Sequence, residues 1–114
     1  MKIIYNKYFP KGNFTAINLF GIVFARIEYK DLSNQELNHE KIHSRQIVEM
    51  LGPLYYIIYF IEWIIRLIQY KNTIEAYKNI SFEREAYKND KNLHYLNHRK
   101  PFSFINYYKE ERSI

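Results

Sequence analysis

The stretch "SNQELNHEKIHSRQIVEMLGP", residues 33–53, decides how the chain is read. Ser33, with Glu36 three residues later, forms a capping-box signature in which a hydroxyl and a carboxylate satisfy the first free N–H groups of a helix. Gly52 followed by Pro53 marks its end. The spacing therefore predicts a helix from about Asn34 to Leu51, with His39-Glu40-Lys41-Ile42-His43 inside it. His39, His43, Ile47 and Met50 follow one stripe, so the two imidazoles continue an apolar row and are expected to face inward. Residues four apart on a helix share a face and can aim two ring nitrogens at one ion. Glu40 reaches toward the open position beside them, where a carboxylate can take a proton from water and pass it to a leaving amine. Two inward histidines with nothing to share would each need a separate polar partner, whereas a single divalent ion satisfies both. Four histidines and ten glutamates in 114 residues give HExxH by chance in roughly one such chain in a hundred, so the surroundings must carry the assignment.

The composition narrows what those surroundings can be. A chain of 114 residues has room for one compact domain, and 47% hydrophobic with 18% aromatic residues is the composition of a packed protein. With no cysteine, neither a disulfide framework nor a thiolate metal site can exist, so any metal must sit on His, Asp or Glu. The formal charge of +5 permits attraction to anionic partners, but Lys and Arg are scattered and no nucleic-acid reading motif accompanies them, so nucleic-acid binding is not expected. The opening "MKIIYNKYFPKGNF" is broken by Asn, Lys, Pro and Gly before a signal-peptide core can form, which makes the cytoplasm the default compartment.

Upstream of the helix, residues 2–29 are rich in Ile, Phe, Tyr and Val and are punctuated at Pro10, Lys11, Gly12 and Asn13. They predict two extended segments joined by a turn, with "INLFGIVFARIEY" the better strand and Gly21 marking a bulge. Downstream, "LYYIIYFIEWIIRLIQYK" is apolar nearly all round, as a buried core helix or a membrane-embedded one would be. Glu62 and Arg66 interrupt it at i,i+4 spacing, which disfavours a bilayer span and leaves a central core helix first and a helix lying in a membrane surface second. Ser81 can start a further helix running through about Leu96, and Pro101 a final short amphipathic piece.

A catalytic zinc needs three protein ligands, and beyond His39 and His43 the third can come from Glu75, Glu83, Glu85, Asp90, His94 or His98. Here the sequence resembles the zincin metallopeptidases of the glutamate-liganded branch, the gluzincins, in which a later helix with a Glu-x-x-Ala pattern supplies that ligand. "SFEREAY" has Glu83 and Ala86 in this pattern. The resemblance implies Glu83 as third ligand, with Glu85 as runner-up and Glu75 weaker. His94 and His98 read as a solvated surface pair. Many such enzymes have Asp after the Ala, where it orients a histidine ligand; here the residue is Tyr87, so either Tyr87, Asp90 or Asn38 takes that role or the site is held more loosely. The chain also resembles small bacterial proteins that pair an HExxH helix with an FEREAY segment.

Zincin folds further imply an edge strand that binds an extended peptide, and "LFGIVFARI" is either that strand or a core strand. Tyr87, another tyrosine, Arg84 or His94 would stabilise the oxyanion. The expectation is a single α+β, mainly α domain over residues 1–114: N-terminal hairpin or strands, HExxH helix, apolar core helix and a third helix carrying the Glu ligand. Its expected function is zinc-dependent peptide hydrolysis on a peptide or protein substrate, with Glu40 as base and Zn²⁺ as cofactor. The alternative is a non-catalytic helical protein with a structural metal that docks on a membrane or partner through residues 54–69.

Overall fold

The computed structural model describes residues 2–10 and 14–109. It is an α+β, mainly helical protein, with a small N-terminal sheet followed by helices. The strands are β1 (Lys2–Asn6), β2 (Ala16–Leu19) and β3 (Ile22–Arg26), in the order β1-β3-β2. The central β3 is parallel to β1 and antiparallel to β2. Of the expected turn at residues 10–13, residues 11–13 lie outside the described residues.

The second expected segment is two strands rather than one bulged strand. Leu19 pairs with Ile22, leaving Phe20 and Gly21 as a two-residue turn with φ of 54° and 89°. Such turns need positive φ at both positions, which Gly21 adopts freely and Phe20 does not. Phe20 is held there by Tyr56: its N–H donates to Tyr56 Oη at 2.8 Å, and the two rings lie 4.8 Å apart. "IVFAR" is thus the central strand, and the edge strand beside the first helix is β2.

Helix α1 (Asn34–Glu49) begins as its sequence dictates, with both halves of the capping box formed between Ser33 and Glu36. One side of α1 lies against the sheet, where Leu37 packs beside buried Val23, Ala25 and Leu32. The other contributes Ile47 to a second core with Tyr55, Ile80, Phe82 and Phe104. Burial of Val23, Ile42, Ile80 and Phe82 alone contributes on the order of 1.5–3 kcal/mol per side chain.

Helix α2 (Pro53–Tyr70) departs from expectation. It is not a central core helix: its buried residues are Tyr55, Glu62 and Arg66, while Leu54, Ile57, Phe60, Ile61, Ile64, Ile65 and Ile68 are exposed. The charged pair that interrupts the apolar run is the part turned inward. Glu62 accepts from Ser81 N (2.6 Å) and Ser81 Oγ (2.7 Å), and Arg66 donates to Tyr108 O (2.5 Å) and Gln69 Oε1 (3.0 Å). No single helix among the described residues is long and apolar enough to cross a membrane.

A short α3 (Thr73–Lys78) intervenes before α4 (Ser81–Asn89), so the Glu83-bearing helix is the fourth. Helix α4 has no side-chain cap of its own, and Glu62 serves its first turn from α2. It does not continue to Leu96. Asn38 Nδ2 donates to the carbonyls of Asp90 (2.9 Å) and Asn92 (3.0 Å), capturing the chain as it leaves α4 and turning it toward α1. A single turn, α5 (Tyr95–His98), follows, and the amphipathic piece after Pro101 is a 3₁₀ turn, Ser103–Tyr107, that buries Phe104.

Candidate metal centre

His39 and His43 lie on the buried face of α1, and α4 delivers Glu83 opposite them. His39 Nε2, His43 Nε2 and Glu83 Oε1 converge: 3.1 Å between the two nitrogens, 3.2 and 3.0 Å from each to the oxygen. This buried group can hold a metal ion. An ion with bonds of about 2.0–2.1 Å in tetrahedral geometry separates its ligand atoms by roughly 3.3–3.4 Å, so small side-chain rotations suffice to admit one.

The hydrogen bonds behind the histidines fix which nitrogens face the centre. His39 Nδ1 lies 3.0 Å from Asp90 Oδ2, and an ionised carboxylate only accepts, so Nδ1 carries the proton. His43 Nδ1 lies 2.8 Å from Gln46 Oε1. That amide's orientation is set by its other end, because Gln46 Nε2 donates to Phe82 O (3.1 Å) and Glu85 Oε1 (2.9 Å). Gln46 therefore offers His43 its oxygen, and His43 Nδ1 also carries a proton. Both Nε2 atoms then present lone pairs toward each other and toward a carboxylate oxygen. Three acceptors this close repel unless a cation or a proton sits among them. Such carboxylate and amide partners behind histidines are what metal sites require.

The electrostatics agree. Burial pushes His43 down, but the charge of Glu83 and its hydrogen bond outweigh this and raise it to about 9. Burial pushes Glu83 up, yet His43 and His39 hold it well below the usual carboxylate range. Tyr59 Oη donates to Glu83 Oε2 at 2.7 Å, and burial together with the Glu83 charge keeps that hydroxyl protonated. Glu83 thus keeps one oxygen for the centre and one for Tyr59.

Glu40 stands beside the triad at the junction of two cavities. One, of about 450 Å³, is also lined by His39, Tyr77 and Tyr87; the other, of about 570 Å³, by His43, Glu83 and a largely apolar wall including Tyr59 and Trp63. Burial raises the Glu40 carboxyl, moderated by His43 and His39, which moves it toward the range of a neutral-pH base. Its helix is tied to the edge strand by Asn18, whose Nδ2 donates to Glu40 O (3.0 Å) and Ser44 Oγ (2.8 Å).

The remaining sequence candidates fall into two groups. Tyr87 is at the site: its ring lies 4.5 Å from that of His39, and its hydroxyl is 3.0 Å from Tyr77 Oη. Asp90 takes the orienting role, while Asn38 binds only backbone. Glu85, the alternative ligand, is held elsewhere by Arg99 (2.5 Å), Tyr95 (2.6 Å) and Gln46. Arg84 is not near the triad's hydrogen bonds: it binds Asn79 and the carbonyls of Tyr107 and Tyr108. Glu75, His94 and His98 are exposed. Sequence reading missed Gln46, Tyr59 and Tyr77. Gln46 has a local signal, standing three residues after His43 on one helix face, whereas nothing distinguishes two tyrosines among twelve.

No protein-family model, curated protein or solved structure matches the chain. The likeness to gluzincins therefore rests on His39, Glu40, His43, Glu83 and Ala86 themselves.

Proposed function

We propose that the chain is a small zinc-dependent metallopeptidase, with His39, His43 and Glu83 holding Zn²⁺ and Glu40 acting as general base. The observation that carries this reading is the meeting of three acceptor atoms at 3.0–3.2 Å beside a carboxylate in a cleft. A two-nitrogen, one-oxygen donor set suits zinc, which takes three protein ligands at catalytic sites and leaves one position open. Bound there, the ion supplies a Lewis acid that polarises a carbonyl and acidifies water.

The chain's own residues supply the rest. Glu40 takes a proton from water in the cleft and returns it to the departing amine, a task its raised pKa suits. Asp90, Gln46 and Tyr59 hold the two imidazoles and the Glu83 carboxylate in place. Tyr77 lines both cavities, and its hydroxyl is the donor we assign to an oxyanion. Among the described residues β2 is an edge strand lining this cleft, and it offers an extended peptide a backbone to pair with except at Asn18 O, which accepts from Tyr56. Among the described residues no fourth His, Asp or Glu joins the triad, which favours an enzyme over the alternative of a closed structural site.

The test is elemental analysis of untagged protein together with cleavage of a quenched fluorescent peptide library. The parent should carry one zinc per chain, Glu83→Ala should lose it, and Glu40→Gln should keep zinc while losing cleavage. A metal-free parent overturns the site, and undiminished cleavage by Glu40→Gln overturns the base.

A further inference from the structure

We infer that the outer face of α2 docks the protein on an anionic lipid surface. The helix is 18 residues, about 27 Å long, and its two charged residues, Glu62 and Arg66, are both turned inward and buried. Leu54, Ile57, Ile61, Ile64 and Ile68 run along the opposite side, all exposed, with Ile68 at 72%. On the 3₁₀ turn Ile105 borders a groove with Ile61 and Ile65, and ahead of the turn into α2 Val48 and Leu51 are exposed at 73% and 83%. So much exposed apolar surface marks an interaction site.

Two further observations select lipid as its occupant. The spacing 54, 57, 61, 64, 68 would also suit a helical seam with a second copy. Such seams are flanked by charged residues that choose the partner, and here the flanking positions are Ile58, Phe60, Ile65 and Leu67. The face is thus wide and uncharged throughout, as a helix lying in a bilayer surface requires. The rest of the surface is basic beyond what the net charge of +5 conveys, because the fold draws its carboxylates inside. Among the described residues eleven Lys and Arg side chains are exposed against three acids, Glu28, Asp31 and Glu75. Exposed cations border the apolar face: Arg45 one turn before Val48, Lys71 at the end of α2 and Lys109 next to Tyr108. Two copies meeting on this face would oppose like charges, whereas anionic headgroups complement them.

The test is co-sedimentation of the full chain with vesicles of phosphatidylcholine, with and without phosphatidylserine. The parent should bind the phosphatidylserine vesicles more tightly, and added salt should weaken the binding. Ile61→Glu with Ile64→Glu should lower it at least about tenfold while circular dichroism and thermal unfolding stay near those of the parent, since both positions are exposed. Arg45→Glu with Lys71→Glu should remove most of the preference for phosphatidylserine. Equal binding to both vesicles, or to neither, overturns the inference. A lipid-free dimer that the double Glu variant dissolves, without vesicle binding by the parent, assigns the face to a second copy instead. Glu40→Gln should bind vesicles like the parent, so docking stands or falls separately from the metal centre.

Discussion

Helices α1 and α2 both turn polar side chains into the protein, and they do so to opposite ends. In α2 the inward groups are complementary: Glu62 accepts from Ser81, and Arg66 donates through its terminal nitrogens to Gln69, Tyr108 and Glu62, while its buried Nε has no hydrogen-bond partner among the described residues. In α1 the inward groups are alike, because the bonds to Asp90 and Gln46 turn both imidazole Nε2 atoms toward one carboxylate oxygen, where a proton on His43 or a metal ion stands between them. A donor set against an acceptor is architecture, while two imidazoles and a carboxylate gathered on one point define a place for a cation or a proton.

The sharpest way to break the comparison is to remove one member from each set. His43→Ala should abolish zinc binding by elemental analysis. Glu62→Ala leaves Arg66 buried without its carboxylate and α4 without its cap, and should lower stability by about 3–5 kcal/mol in urea unfolding. Replacing Glu62 and Arg66 together by Met and Leu should recover most of that loss. No apolar replacement in α1 can recover zinc.

Proton linkage separates the sets next. The folded-state pKa of His43, about 9, lies above its ordinary 6.5. Its contribution to the metal-free protein is therefore fully present below pH 6.5 and is lost as pH rises through 9, by about 3 kcal/mol at most. Urea midpoints across that window should fall for metal-free protein and hold for the zinc-loaded form, whose His43 carries no exchangeable proton at Nε2. A flat profile without metal would mean that the imidazoles are not facing a charged Glu83. Smaller still, Asp90→Asn should weaken zinc about 10–100-fold in competition with a chelator, through His39 alone. The smallest effect belongs to the junction of the two helices. Leu51 has φ of 57°, and Leu51→Gly should raise stability by about 1 kcal/mol in the same assay.

How much of this was legible depends on how local each signal is. The capping box of α1, the inward stripe His39, His43, Ile47 and Met50, and the pairing of Glu83 with Ala86 are short-range patterns, and each corresponds to what the structure holds. The orientation of α2 was not legible, because composition reports that a helix is apolar without reporting which side meets the core. Glu62 and Arg66 read as interruptions of a hydrophobic run, and they are its inward anchors. The Phe20-Gly21 turn was hidden for a similar reason: its first residue is one such turns rarely use, stabilised by Tyr56 from 36 positions away. Asp90 was one of several candidates until the capture of the chain by Asn38 brought it to His39.

Arg99 lies after the last α-helical turn, in a stretch that would ordinarily be trimmed as a ragged tail. Its guanidinium grips Glu49 and Glu85 at once, and Glu85 in turn steadies the amide behind His43. A nick by a processing protease just upstream of Arg99 would therefore slacken a ligand more than fifty positions earlier. Shortening the chain there should weaken metal binding at the triad long before the helices themselves come apart.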